Sequence, residues 1–369
     1  MKKLIVGTVL AAAVLAAGPG RAETTLVASG DSFRLDGYSS LEFERQLGAT
    51  GIGDPNGSFD ADLLDLVLNW RGSDRLRVAA DLSWEHGSAT EDGRGNVALE
   101  YAFAEYSFAD WARLRAGKMF TPFGIYNEIH TAKPAFLTVK EPLATNKNDK
   151  LGSDLRFYPR WGTGIALLGN GVAPLGFTWD YVVALTNGEQ ENTNPFEEDD
   201  NKQKAVQGRA RLMFGEDLEL GVSAYRDEVS ELDGAGDPTG ERSVQLSYGA
   251  HGIWRSGFGP GVELEWVRGG LSPSSAAVGP DLVGQGATAM AWWTLADRYT
   301  PYARVEWLDP NLDVSNDRAV LWIGGINVRV GGGLVLKAEL NEVHLQDANA
   351  EFVGDGSYAE VKAAVVVGF

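Results

Sequence analysis

Four histidines, His86, His130, His251 and His344, are the first side chains to test for acid–base or metal chemistry. They stand far apart, and neither a His-Glu-x-x-His pair nor a Gly-x-Ser-x-Gly elbow accompanies them. His251 shares its strand parity with Ser247, which a polar residue lining a pore gives equally well. With Cys 0, disulfides, Cys-ligated zinc, iron–sulfur clusters and Cys-x-x-Cys-His haem attachment are excluded. The chain is therefore read as no enzyme and as carrying no cofactor. Runs such as Glu189-Gln190-Glu191 and Glu197-Glu198-Asp199-Asp200 read as solvated charge or as a loop-bound Ca²⁺ site. Lys plus Arg is 32 against 51 Asp plus Glu, a formal net charge of -19, which argues against a nucleic-acid partner because little would neutralise phosphates.

The charges become informative through their spacing. In Leu76 to Glu85 the even positions are apolar, while Arg77, Asp81 and Glu85 stand at odd ones. Asp62 to Trp70 sets Leu64, Leu66, Leu68 and Trp70 against Asp65 and Asn69. Gln207 to Phe214 sets Gln207, Arg209 and Arg211 against Ala210, Leu212 and Phe214, and Leu334 to Leu340 sets Lys337 and Glu339 against leucines and alanine. A period of two is a strand with a different environment on each face. Approximate strands fall at 32–44, 58–70, 74–86, 96–107, 111–120, 160–168, 175–186, 204–214, 217–226, 242–254, 260–269, 285–296, 299–308, 317–329, 332–343 and 357–369. Each is near the 9–11 residues that a tilted strand needs to cross hydrocarbon. So many strands over nearly the whole chain require one closed sheet.

The connections alternate in length. Short ones near 71–73, 108–110, 169–174, 215–216, 255–259, 297–298 and 330–331 contain or adjoin turn formers such as Gly72-Ser73-Asp74 and Gly331-Gly332. Long ones span about 45–57, 87–95, 121–159, 187–203, 227–241, 270–284, 309–316 and 344–356. Short periplasmic turns and long extracellular loops are the asymmetry of a membrane barrel, and an even strand number puts both termini in the periplasm. A lumen wall of arginine and glutamate cannot be a dry core, so the apolar face meets lipid. Phe33, Phe43, Trp70, Trp84, Phe214, Trp254, Trp266, Trp307 and Trp322 near the strand ends read as interfacial girdles.

The first residues match an export signal. Lys2 and Lys3 precede an apolar run from Leu4 to Ala17, then Gly18-Pro19-Gly20-Arg21-Ala22. Residues 1–22 are expected to be a signal peptide and 23–369 a single barrel domain. Removing Lys2, Lys3 and Arg21 leaves 29 bases against 51 acids, a net of -22.

Two segments carry a resemblance. The last strand, Tyr358 to Phe369, is apolar at odd positions and ends on an aromatic, like the C-terminal assembly signal of Gram-negative outer-membrane barrels. Leu114-Arg115-Ala116-Gly117-Lys118-Met119-Phe120-Thr121-Pro122-Phe123-Gly124 is similar to the strand end of the phosphate-selective porin O and P family and its general-porin relatives. Pro159 to Leu167 and Val182 to Gly188 resemble that family's strands around its third and fourth loops. The resemblance implies an all-β, 16-stranded antiparallel transmembrane barrel with an inward-folded third loop. It also implies homotrimers set among outer-membrane lipid and lipopolysaccharide, passing small hydrophilic solutes. Residues 121–159, 39 in number, would be the constriction loop.

Within that loop Glu128, Lys133, Lys140, Glu141, Lys147, Asp149 and Lys150 are the constriction candidates. Strand parity puts Arg77, Arg113, Arg115, Arg209, Arg211, Arg304 and Arg329 on the lumen wall. With Arg34, Lys337 and Lys362 they face eleven acids: Asp36, Glu42, Asp65, Asp81, Glu85, Glu219, Glu263, Glu265, Glu306, Glu339 and Glu360. The wall is nearly balanced, without the excess of bases that phosphate selection requires. Glu100 and Glu105, five apart, cannot share a face unless a bulge or an early strand end intervenes. Three readings follow: a diffusion porin with weak cation preference, a substrate-specific uptake channel for an anion or small organic solute, and a structural sheath around a partner.

Overall fold

The computed structural model describes residues 24–28, 31–47, 56–85, 96–129, 131–146, 156–188, 201–232, 238–273, 281–346 and 357–369. The signal segment 1–22 and the acidic run 189–200 lie outside them. Among the described residues the chain forms β1 (Thr24–Ala28), β2 (Asp31–Leu47), β3 (Ser58–Arg71), β4 (Leu76–Glu85), β5 (Asn96–Ala109), β6 (Ala112–Phe120), β7 (Trp161–Val172), β8 (Thr178–Thr186), β9 (Ala205–Phe214), β10 (Leu218–Leu232), β11 (Pro238–Arg255), β12 (Pro260–Pro273), β13 (Leu282–Trp293), β14 (Tyr299–Asp309), β15 (Ala319–Gly331), β16 (Leu334–Leu345) and β17 (Ser357–Gly368). From β2 onward each strand pairs antiparallel with the next. β17 then pairs with β2, closing a barrel of sixteen strands. The short β1 lies along Asp31–Leu35 of β2, where the edge that β17 takes farther on is still open. No described helix is long and apolar enough to cross a membrane.

The alternation has the sign of a membrane barrel. Along β12 the apolar Val262, Leu264 and Trp266 point outward and are exposed, while Glu263 and Glu265 point inward and are buried. Of the expected girdle aromatics, Trp84, Phe214, Trp254, Trp266 and Trp322 are exposed on the outer face, and Phe33, Phe43, Trp70 and Trp307 are half-buried. At the seam, Gly37 and Phe369 exchange backbone hydrogen bonds of 2.8 Å. The Phe369 ring lies where a Cβ on residue 37 would have to go, so glycine is required there.

Two local features differ from the expectation or resolve it. The fifth long connection shrinks to 233–237, because β10 and β11 run on as a protruding hairpin, paired as far as Leu232 with Pro238. Hydrogen-bonded pairing, invisible in a polar segment's composition, turns most of 227–241 into strand, and β12 likewise continues to Pro273. In β5, the register with β4 shifts between Asp81 and Leu82, which face Tyr101 and Leu99. Glu100 is the extra residue of a bulge, so Glu100 and Glu105 are both buried in the wall.

Candidate permeation constriction

Between β6 and β7 the chain turns into the barrel and crosses its lumen. A backbone inside a barrel cannot leave its polar groups bare, and wall side chains supply the partners. The neck is closed by Thr121 N donating to Arg160 O at 2.9 Å and by Asn127 Nδ2 donating to both Thr121 O and Arg160 O. Gly124 follows at φ 59, its N–H donating to Ser223 Oγ and its carbonyl accepting from Arg209 Nη1. A side chain at 124 would strike the Glu265 carboxylate, which accepts Ile125 N–H at 3.2 Å. Tyr126 OH donates to Glu263. Short 3₁₀ turns at Asn127–Ile129 and Lys133–Ala135 and a one-turn helix α1 (Leu143–Asn146) shape the rest.

The far half of the loop is fixed more heavily. The buried Lys337 ammonium on β16 donates to the carbonyls of Lys133, Phe136 and Thr138 at 2.7, 2.7 and 2.9 Å. Glu339 accepts Val139 N–H and Tyr302 OH, both at 2.7 Å, and Glu306 accepts Leu143 N–H at 2.8 Å. Arg304 donates to Thr138 Oγ1 and Lys140 O and pairs with Glu306 at 2.6 Å. Lys133 pairs with Glu42 and Asp62, each at 3.1 Å, and Lys140 with Glu42, Asp62 and Glu44. Burial alone would lower the Lys140 pKa; the three carboxylates outweigh it and hold it above that of an ordinary lysine. Glu141 pairs with Arg160 at 2.6 Å.

The remaining arc of wall, β4 to β10, carries the arginines. Arg77 donates to Asn69 Oδ1, and Arg115 and Arg113 reach Glu105 at 2.8 and 3.7 Å. The guanidiniums of Arg77 and Arg115 both lie over the Phe103 ring. On β9, Arg211 pairs with Asp180 at 2.7 Å and Glu219 at 3.4 Å, and Arg209 pairs with Glu128 of the loop. Met119, Ala166, Leu168, Val182 and Ala184 form an apolar cluster between the two arginine groups. Burial pushes the Glu128 pKa up, but Arg209, Arg211 and Arg115 prevail and hold it below the ordinary glutamate value.

The structure therefore sorts the sequence candidates into groups. Glu128 faces Arg209 with Arg211 and Arg115 nearby, and Arg77 and Arg113 extend that basic surface. Lys133, Lys140, Glu141 and Arg304 fasten the loop. Arg329 sits apart, exposed by a short turn, where its Nη1 approaches Asp297 O at 3.4 Å. Lys147, Asp149 and Lys150 lie outside the described residues. Sequence reasoning missed Asp62, Tyr302 and Tyr38, whose hydroxyl meets Thr131 of the loop at 2.9 Å, and it placed Ser223 on the polar face of its strand without giving it a loop contact. The inward parity of Tyr38 and Tyr302 could have flagged those two; Asp62 could not be found, since a register shift between Ser40 and Glu42 brings it in. No three His, Cys, Asp or Glu side chains converge as a metal cluster among the described residues.

Comparison with known proteins agrees with this architecture. No family's sequence profile matches the chain. An uncharacterized protein of Aquifex aeolicus is 30% identical over 127 residues, 34% of this chain and 27% of that protein, so the match spans about a quarter of the relative's length. The anion-selective porin from Comamonas acidovorans superposes with a TM-score of 0.66 at 11% identity, over 92% of this chain and 100% of that one. The outer membrane channel DcaP of Acinetobacter baumannii gives 0.61 at 11% identity, over 93% and 99%. The trimer form of OmpT, an outer membrane protein of Vibrio cholerae, gives 0.59 at 12%, over 92% and 100%. At such identities the likeness is one of fold. The chain has the sixteen-stranded fold of outer-membrane porins, and the narrower tie to the phosphate-selective O and P group gains no profile match.

Proposed function

We propose that this chain is an outer-membrane porin that lets ions and small hydrophilic solutes diffuse through a water-filled lumen narrowed by residues 121–159. The observation that carries the reading is the loop itself: it lies inside the barrel, fastened mainly along β12 to β3, with Gly124 and Glu128 also meeting Ser223 and Arg209 at the edge of the arginine-bearing arc. Glu128 of the loop meets Arg209 in a contact ion pair with Arg211 close by, so the narrowing presents charges of both signs to a passing solute. The arc is near balance, five guanidiniums and Lys118 against Asp81, Glu100, Glu105, Asp180, Glu219, Asp227 and Glu128 of the loop. The net charge of -22 expected for the mature chain then gives a weak cation preference through the loops and mouth. Its setting is the outer membrane, with lipid and lipopolysaccharide around the apolar belt, both termini periplasmic, and three copies assembled as in the OmpT trimer form.

A second reading, an uptake channel for an anionic or small organic solute, is favoured by the Arg77 and Arg115 guanidiniums lying over Phe103, a surface on which an anion could dwell. A loop crossing the lumen speaks against a sheath around a threaded partner. Proteoliposome swelling in neutral sugars of graded size tests the diffusion reading. Swelling rates that fall steadily with solute size support it; no swelling with any sugar, in vesicles shown to contain folded protein, defeats it.

A further inference from the structure

The outer surface of β9 to β12 carries charges that permeation does not use. Along β10, β11 and β12 the even-numbered residues point outward, and the ionisable ones among them are Arg226, Glu228, Arg242 and Arg268. Lys202 and Lys204, exposed and of the same parity, lead into β9. Five bases thus stand with one acid on the outside of a chain whose formal net charge is -19. Asp281, just before β13, bounds the group.

All of them lie at the long-loop end of the barrel. The register aligns Phe214, Leu218 and Trp254 near the short turns, and Val206, Arg226 and Leu246 about eight positions farther along the same strands. At ~3.4 Å per residue and a tilt of ~40° that is about 20 Å along the barrel axis, close to the ~25 Å height of an apolar band. The outward residues between, such as Leu220, Val222 and Leu264, are apolar and exposed. Arg268 stands across from Tyr248, whose ring meets Trp266 edge-on at 5.7 Å, an aromatic pair of the kind that marks a membrane–water interface. Above that level β10 and β11 stay paired as far as Leu232 with Pro238, so Glu228 and Arg242 ride on a ladder rather than on a loop. Arg226 and Arg242 reach the two oxygens of Glu228 at 3.1 and 3.5 Å, yet their side chains remain 50% and 40% exposed. Glu228 spaces the two guanidiniums without neutralising both, and Arg268 forms no ion pair among the described residues.

We propose that this face binds the phosphorylated sugar headgroup of an outer-leaflet glycolipid, with Arg226, Arg242 and Arg268 on its phosphates and Lys202 and Lys204 adding charge. Guanidiniums present paired donors that match phosphate oxygens. The acyl chains lie over Leu246, Leu264 and Trp266, directly below the arginines. A free anion would need the bases alone; a phosphoglycolipid uses the bases and the apolar surface beneath them together. Glu228 competes with the phosphates for Arg226 and Arg242. The inference rests on the outer-membrane reading of the barrel and concerns its outside, not its lumen.

The test titrates the full chain in detergent with diphosphoryl lipid A, and separately with phosphatidylglycerol, reading bound lipid by native mass spectrometry. Saturable lipid A binding is expected, at least tenfold tighter than that of phosphatidylglycerol and weakened at least tenfold when Arg226→Gln and Arg268→Gln are combined. Glu228→Gln should tighten it several-fold, and Arg298→Gln, in the short turn between β13 and β14, should leave it unchanged. Equal affinity for the two lipids, or lipid A binding retained in the double variant, overturns the proposal. So does an E228Q protein that binds no more tightly, or a loss in R298Q as large as in the double variant, which would make the effect one of net charge. Bilayer conductance is read on the same proteins: wild-type current without lipid A binding ends this proposal alone, whereas folded, inserted protein that passes no current ends the channel reading.

Discussion

Lys337→Met gives the sharpest perturbation of the constriction. Methionine keeps much of the length and packing of lysine against Phe136, whose ring lies 4.8 Å from the ammonium, but removes all three donors. The carbonyls of Lys133, Phe136 and Thr138 are then left without that partner inside the barrel. A buried polar group stranded in this way costs about 1–3 kcal/mol, so three cost roughly 3–9 kcal/mol. Relief of the desolvation borne by the buried ammonium offsets part of this. A net loss of about 2–4 kcal/mol lowers the docked population of this stretch by a factor of roughly 30–700. The loop stays tethered through Glu339, Glu306 and Arg304, so the 133–139 stretch frays while the barrel persists. Single-channel recording should show larger conductance and excess open-channel noise, with protease cutting in the loop and unchanged heat-modifiable migration of the barrel. Unaltered conductance, noise and protease resistance in a folded K337M protein would refute the claim that these hydrogen bonds hold the constriction.

Gly124→Ala should displace the loop's entry, because it opposes both the positive φ and the Glu265 carboxylate; a loss of about 1–2 kcal/mol in a denaturant titration would show it. Arg115→Ala with Arg113→Ala leaves Glu105 without its two guanidiniums, so the reversal potential in a KCl gradient should move toward the cation side. Glu128, with its pKa held low, contributes attachment to Arg209 that is present above the ordinary glutamate pKa of about 4.3 and lost only as pH falls through its own lower value. Lys140, with its pKa held high, contributes attachment fully present below the ordinary lysine value of about 10.4 and lost only as pH rises through its higher one. Thermal stability and conductance should thus stay free of any step from these two groups between about pH 5 and 10; a transition traced to either by Glu128→Gln or Lys140→Met would contradict the assignment.

Much of the barrel was legible because a strand's two faces are written in alternate residues: Arg209 and Arg211 against Leu212 and Phe214 need no tertiary information. Glu100 and Glu105 showed even the need for an irregularity, which the structure supplies as a bulge. What parity cannot tell is what an inward charge meets. Lys337, Glu339 and Glu306 share the parity of Arg209, yet they grip the loop backbone, because the loop's path is set by the sum of contacts far apart in sequence. Asp62 escaped notice because a register shift turns it inward, and the extended β10–β11 hairpin because polar residues pair by backbone alone.

The central claim is an open, loop-narrowed channel, and the most direct test is current through the purified protein in a planar bilayer under a KCl gradient. The account predicts stepwise openings with a reversal potential on the cation side. A folded, inserted protein that passes no current would contradict it, and an anion-side potential blocked by one particular solute would replace general diffusion with dedicated uptake.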